Sequence, residues 1–180
     1  MGESMTEAVG SISYQNSGWG LHFTQGKRLD SGLGDNPIVV SLESNHDTIP
    51  DYFEISAVPI VSENFVLALK TLPDDRYQLF PATIKMPSRE IGGYHILNIV
   101  GRLDCIDIDA SDTKMYDGSI MRLMKLVMRK DLSPSMSLFR ANEYPLAIFI
   151  SDKVAAALRD AGLSGMKIDP APGWGDDHRF

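Results

Sequence analysis

Only one cysteine, Cys105, occurs in the 180 residues, which excludes an internal disulfide framework and any multi-cysteine zinc site and gives the chain a cytosolic redox character. Positive charge is scarce as well. Seventeen lysines and arginines stand against 24 aspartates and glutamates, for a net charge of -7, and no basic cluster is dense enough to follow a phosphate backbone. Nucleic acid is set aside as a partner. Long apolar runs are also missing: the longest fall far short of a membrane span, and MGESMTEAVGSISYQ has neither the basic nor the apolar region of a signal peptide. A soluble cytoplasmic protein with no membrane partner is expected. Finally, no serine sits in a G-x-S-x-G elbow, and SGLGDNP lacks both the full G-x-G-x-x-G fingerprint and the Lys-Ser/Thr ending of a Walker loop. No nucleotide site or other cofactor is expected.

What is present is an ordinary globular composition, 43% hydrophobic and 23% charged, sufficient for one substantial core. The expected organisation is a flexible tail over 1–10, a single domain over 11–171 and a C-terminal tail over 172–180. SISYQNSGWGLHFT suits a short strand or hairpin, and PIVVSL reads as a β-branched strand. DYFEISAVPIV is extended but broken by Pro59. YQLFPATI is a strand, and YHILNIVGRLDCIDID is the longest strand-like stretch. It places Tyr94, Ile96 and Val100 on one face and Leu97 and Ile99 on the other, the pattern of a central strand packed on both sides. SIMRLMKLVMRK is ambiguous in period and reads as a strand over 123–128; PLAIFI is a buried strand.

Two stretches echo each other. Aligning Ser62 with Ser151 in IVSENFVLALKTLPDDRYQLFPA and FISDKVAAALRDAGLSGMKIDPA brings an acid after each serine, an Ala-Leu pair, and a closing Pro-Ala into register. Each serine is a helix N-cap with an acid in the first turn. The apolar stripes are Phe65, Ala68, Leu69, Leu72 and Val154, Ala157, Leu158, Ala161; Pro73 closes the first helix and Gly162 the second. Each unit reads as strand, capped helix, strand, with MKIDPA the last strand, and shared packing constraints account for the echo. The expected fold is α+β, a mostly antiparallel or mixed sheet with two short helices.

The acid-rich DCIDIDASD contains Asp104, Asp107, Asp109 and Asp112. On a strand, two-residue spacing puts carboxylates on one face, as a divalent metal needs. As an EF-hand loop the stretch fails, because Asp112 stands where the turn glycine belongs and Gly118 where the bidentate Glu belongs. No metal site is expected. The preferred reading is an acidic edge that discourages strand pairing, and the second is an acidic patch that faces a protein partner. Cys105 lies between apolar residues with no group to lower its pKa, so it reads as a buried inert thiol, and His95 as a sheet-face histidine. Trp19 and Trp174, each between glycines, are respectively a packing aromatic and an open case between packing and an exposed anchor.

The order of VPIVSENFVLALKTL, YQLFPATI, YHILNIVGRLDCIDIDAS and LFRANEYPLAIFISDKVAAALRDAGLSGMKIDPA resembles a family of immunity proteins from bacterial polymorphic toxin systems, over 51–171. Its most specific parts are Val61 to Glu63, the Asn98 to Ser111 stretch, and Phe139-Arg140. The resemblance implies a non-catalytic protein that binds and neutralises a co-encoded toxin domain. Nuclease-type toxins tend to be basic, and the negative net charge would aid their capture. The partner-facing residues on this reading are Asp104, Asp107, Asp109 and Asp112, with Trp174, Asp176 and Asp177 of the tail. Two alternatives stay open: an enzyme that reverses a toxin's modification or acts on a small molecule, using Cys105 or His95 with Asp107, and an adaptor with no toxin partner.

Overall fold

The computed structural model describes residues 10–13, 19–29, 37–70, 76–132 and 137–176. The chain opens with β1 (Gly10–Ser13), a 3-10 helix (Trp19–Thr24) and β2 (Ile38–Leu42). A hairpin of β3 (Tyr52–Ile55) and β4 (Val58–Ser62) leads into α1 (Glu63–Lys70), followed by β5 (Tyr77–Lys85) and β6 (Glu90–Ile99). Short β7 (Arg102–Leu103) precedes the hairpin β8 (Asp112–Tyr116) and β9 (Ser119–Lys125), and the chain ends with β10 (Leu138–Ala141), β11 (Ile148–Ile150) and α2 (Asp152–Asp160). The fold is α+β, as expected. The largest sheet runs β1-β2-β5-β6-β4-β3; smaller ones run β11-β10-β7 and β8-β9. In the large sheet β2 and β5 are parallel and every other pair is antiparallel.

This sheet curls until its two outer strands approach each other. A Cβ placed on Gly10 of β1 would lie 3.2 Å from Ile55 Cδ1 of β3, so the small residue allows the edges to come close. Inside the curl Phe23, Val40, Phe53, Ile60, Ile84 and Ile96 pack with no exposed area or nearly none. On the opposite face α1 and α2 bury Phe65, Val66, Leu69, Val154 and Leu158 against Leu97, Ile99 and Leu138. β6 therefore feeds two cores by simple alternation, with Tyr94 and Ile96 on one side and Leu97 and Ile99 on the other.

Pro59 does not break the extended stretch; it lies inside β4. Its register explains why. Pro59 faces Glu54 on β3, while pairing with β6 starts one residue later at Ile60–Ile96. Beside a two-residue turn the flanking pair, Ile55–Val58, exchanges the hydrogen bonds, so the Glu54–Pro59 pair needs no donor. Pro81 repeats the arrangement on β5, where pairing with β2 starts at Ala82. The turn at Ser56 and Ala57 has φ of 52° and 61° without any glycine. Arg140, fully buried, steadies it by donating from Nη2 to the Ala57 carbonyl at 2.9 Å and from Nη1 to the Pro145 carbonyl at 2.7 Å.

Both helices have the serine caps read from the sequence: Phe65 N–H donates to Ser62 Oγ at 3.3 Å, and Val154 N–H to Ser151 Oγ at 3.4 Å. Gly162 takes φ of 64° after α2; Leu72 and Pro73 lie outside the described residues. Other expectations need correction. Residues 166–171 form no strand: Arg159 Nη2 claims the Ile168 carbonyl at 3.2 Å, and Met166 and Ile168 pack on the helix-side core. The long stretch of β6 ends at Ile99, because Gly101 takes φ of 125° and redirects the chain. Phe23 belongs to the 3-10 helix and not to a hairpin, and the strand expected over 123–128 runs Ser119–Lys125. Among the described residues no helix is long and apolar enough to cross a membrane.

Candidate partner-binding surface

Beyond Leu103 the chain leaves the sheet and its acidic residues follow a turn. Asp107 Oδ1 accepts from Ala110 N–H at 3.1 Å, and its carbonyl accepts from Ser111 N–H at 2.9 Å. This local bonding competes with a strand ladder, so Asp107 and Asp109 do not share a strand face as their spacing predicted. The turn is fastened from outside. Asp107 N–H donates to the Val127 carbonyl and Val127 N–H to Ser111 Oγ, both at 2.9 Å. Upstream, Glu143 accepts from the N–H groups of Cys105 and Ile106, and Asn142 Nδ2 donates to Asp104 Oδ1 at 2.6 Å. Asp104, Asp109 and Asp112 are exposed and Asp107 half-buried. None of the four carboxylates enters an ion pair among the described residues.

The β8–β9 hairpin continues from this turn. Its tip is Asp117-Gly118, with φ of 46° and 73°, the paired left-handed geometry of a two-residue hairpin. Ile120 and Leu123 point inward to a core with Cys105, Ile106, Leu126, Phe139 and Phe149, where the last two stack directly across β10 and β11 with centroids 5.5 Å apart. Among its charged and polar exposed residues are apolar ones: Tyr116 is 75% exposed and Met121 51%, Met115 on the face of Ile120 is 42% exposed, and Ile108 of the acidic turn is 39% exposed. Sequence reading assigned these residues no role. The Asp-Gly pair between MY and SIM was the available signal.

The tail residues are placed differently. Trp174 packs half-buried on the hairpin-side core, and its carbonyl accepts from Leu126 N–H at 2.7 Å. Asp176 accepts from Leu123 N–H at 2.8 Å and from the Tyr144 hydroxyl at 3.0 Å, which ties the tail to β9. Gly175 is needed there, since a Cβ would meet the Met124 carbonyl at 2.1 Å. Asp177 lies outside the described residues, as do Tyr14 and His178; Trp19 opens the 3-10 helix.

The residues considered for catalysis are not brought together. Cys105 is fully buried in the hairpin-side core, and burial, reinforced by the charges of Glu143 and Asp104, pushes its thiol up to about 12. His95 sits on the large sheet with Nδ1 3.9 Å from Glu63 Oε2. A cavity of about 560 Å³ opens between β11, α2 and residues 166–174, lined by Leu97, Ile99, Ile150, Leu158 and Ile168 among others. Neither Cys105, His95 nor Asp107 lines it. Of the charged residues that line it, Lys167 pairs with Asp169 at 3.7 Å and Glu54 accepts from the Tyr52 hydroxyl. No three His, Cys, Asp or Glu side chains are grouped to hold a metal among the described residues.

Residues 10–172 match the Immunity protein family (Imm11). The chain belongs to this family. The Imm11 match begins at the first residue of β1 and takes in both helices, the acidic turn and the β8–β9 hairpin. It therefore extends the resemblance seen over 51–171 into the N-terminal strands. Imm11 membership implies toxin neutralisation and a cognate toxin partner. No curated protein matches the chain.

Proposed function

We propose that the chain neutralises its toxin by direct, non-catalytic association in the cytoplasm, through a face built on Asp104, Asp107, Asp109 and Asp112. The observation that carries this reading is the set of four carboxylates on and beside a fastened turn, Asp107 and Asp109 within it, Asp104 just before it and Asp112 at the start of β8, none in an ion pair among the described residues. Unneutralised surface charge steers a basic partner into encounter and fixes its register. The turn is held by Val127, Ser111, Asn142 and Glu143, so little ordering is needed on binding. Trp174 and Asp176 act behind this face by docking the tail on β9, and a stable complex would bury roughly 1,600 Å² in total.

The test is co-expression of the chain with the toxin domain encoded beside it, scoring growth and co-purification. Rescue with a stoichiometric complex is the expected result. Rescue without any complex would overturn the binding mode, and absence of both would overturn the toxin assignment.

A further inference from the structure

We infer that the tip of the β8–β9 hairpin, with Tyr116, Met115 and Met121, is the apolar anchor that this chain inserts into a concave site of mixed charge on its toxin. This rests on the toxin-binding reading above and names the part of the surface that holds the complex together once charge has brought it together.

Exposure is concentrated at this place. Tyr116, Met121 and Met115 are 75%, 51% and 42% exposed, although Ile120 and Leu123 of the same hairpin are buried. Among the described residues the hairpin has no strand neighbour, since β8 and β9 form a sheet of their own, and the tail lies only along the base of β9 through Asp176 and Trp174. Its tip stands in open space, with nothing within 4 Å of where a Cβ on Gly118 would sit. A convex feature of this kind fits a cleft.

The backbone sets Tyr116 and Met121 outward, whereas Met115 pairs with Ile120 and shares its face, still 42% exposed near the tip. Pairing passes from Met115–Ile120 to Lys114–Arg122, so Met121 is the extra residue of a bulge, and a bulge re-aims the side chain it carries. Tyrosine supplies a large stiff surface with a polar end, and the two thioethers adapt to an irregular apolar wall. Such residues dominate binding energy when they fill a pocket.

Charge describes the occupant. Along the hairpin the signs alternate: Asp117 stands at the tip, Lys114 faces Arg122 behind the apolar residues, and Asp112 faces Lys125 at the base, with Asp107 and Asp109 on the adjoining turn. A toxin cleft with a cation at its floor and carboxylates on its walls matches this order, and basic groups outside the cleft meet the acidic turn.

The experiment uses the full chain and the toxin domain encoded beside it. Tyr116→Ser and the double change Met115→Ser, Met121→Ser should each weaken the complex by about a hundredfold, mainly through faster dissociation, and lose protection without lowering the melting temperature. Leu67→Ser, at an apolar residue 55% exposed on α1, should change nothing. Independently, Tyr116→p-benzoylphenylalanine should crosslink to the toxin on irradiation and Leu67→p-benzoylphenylalanine should not. Wild-type binding with hairpin variants that bind within twofold, or crosslinking from position 67 and not from 116, overturns the anchor and leaves the toxin reading standing. A wild-type chain that neither binds nor protects overturns both.

Discussion

Asp51 and Ser164, 113 residues apart, bind each other in both directions: Asp51 N–H donates to Ser164 Oγ at 3.0 Å, and the Ser164 N–H and hydroxyl donate to Asp51 Oδ2 at 2.9 and 2.8 Å. The same carboxylate accepts from Ser62 Oγ, the cap of α1, at 2.6 Å. One side chain thus joins the start of the first helix to the loop that follows the second. The two echoing units are held together by a residue outside both.

Asp51→Ala should lower stability by about 1–2 kcal/mol in urea unfolding, after allowance for its partial exposure. Burial alone would raise the Asp51 carboxyl, but the bonds from Ser164 and Ser62 outweigh it and hold the pKa below the ordinary 3.8. This stabilisation is fully present above the unfolded-state value and is lost as the pH falls through the lower folded-state value. Asp51→Asn should therefore flatten the acid limb of the stability curve; an unchanged limb would assign acid sensitivity to other groups.

Arg140→Met should cost about 3 kcal/mol, because the half-buried carbonyls of Ala57 and Pro145 both lose a charged donor. Arg140→Lys should not rescue it, since one ammonium cannot reproduce the fork of the guanidinium. Chemical denaturation of both variants checks this. A lysine variant as stable as the wild type would show that the two-carbonyl bridge is dispensable.

Cys105 should be unreactive toward aromatic disulfide reagents in the native protein at pH 8 and react fully in denaturant, given a thiol raised to about 12 in a buried site. Cys105→Ala should retain protection. Rapid native labelling, or loss of protection with the fold intact, would restore a chemical role for this thiol.

Helix caps, most of both apolar stripes and the two-faced β6 were legible because each depends on neighbours in sequence; Ala161, expected on the second stripe, is exposed at the end of α2, and Ala155 is buried instead. Ser62, Ser151 and the alternation of Tyr94 and Ile96 with Leu97 and Ile99 needed no tertiary knowledge. The β3–β4 turn was not, because Ser-Ala lacks the glycine or asparagine that positive φ at both positions favours, and Arg140, which steadies the turn, lies 83 positions away. Pro59 misled for a related reason: only the register with β6 shows that its missing donor has no acceptor waiting. At the binding surface the carboxylates were visible in sequence, but the turn that holds Asp107 and the exposure of Tyr116 depend on packing against Val127 and on where the hairpin core ends. The bond from Leu123 N–H to Asp176 spans 53 residues, and composition has no means of announcing it.

The most direct measurement is the association rate of the chain with its toxin domain, by stopped flow, at low and high salt. Asp107→Lys with Asp109→Lys should slow association by about tenfold or more at low salt, and the difference from wild type should shrink as salt screens the charges. Equal rates for wild type and charge-reversed chain at low salt would remove the acidic turn from the encounter surface.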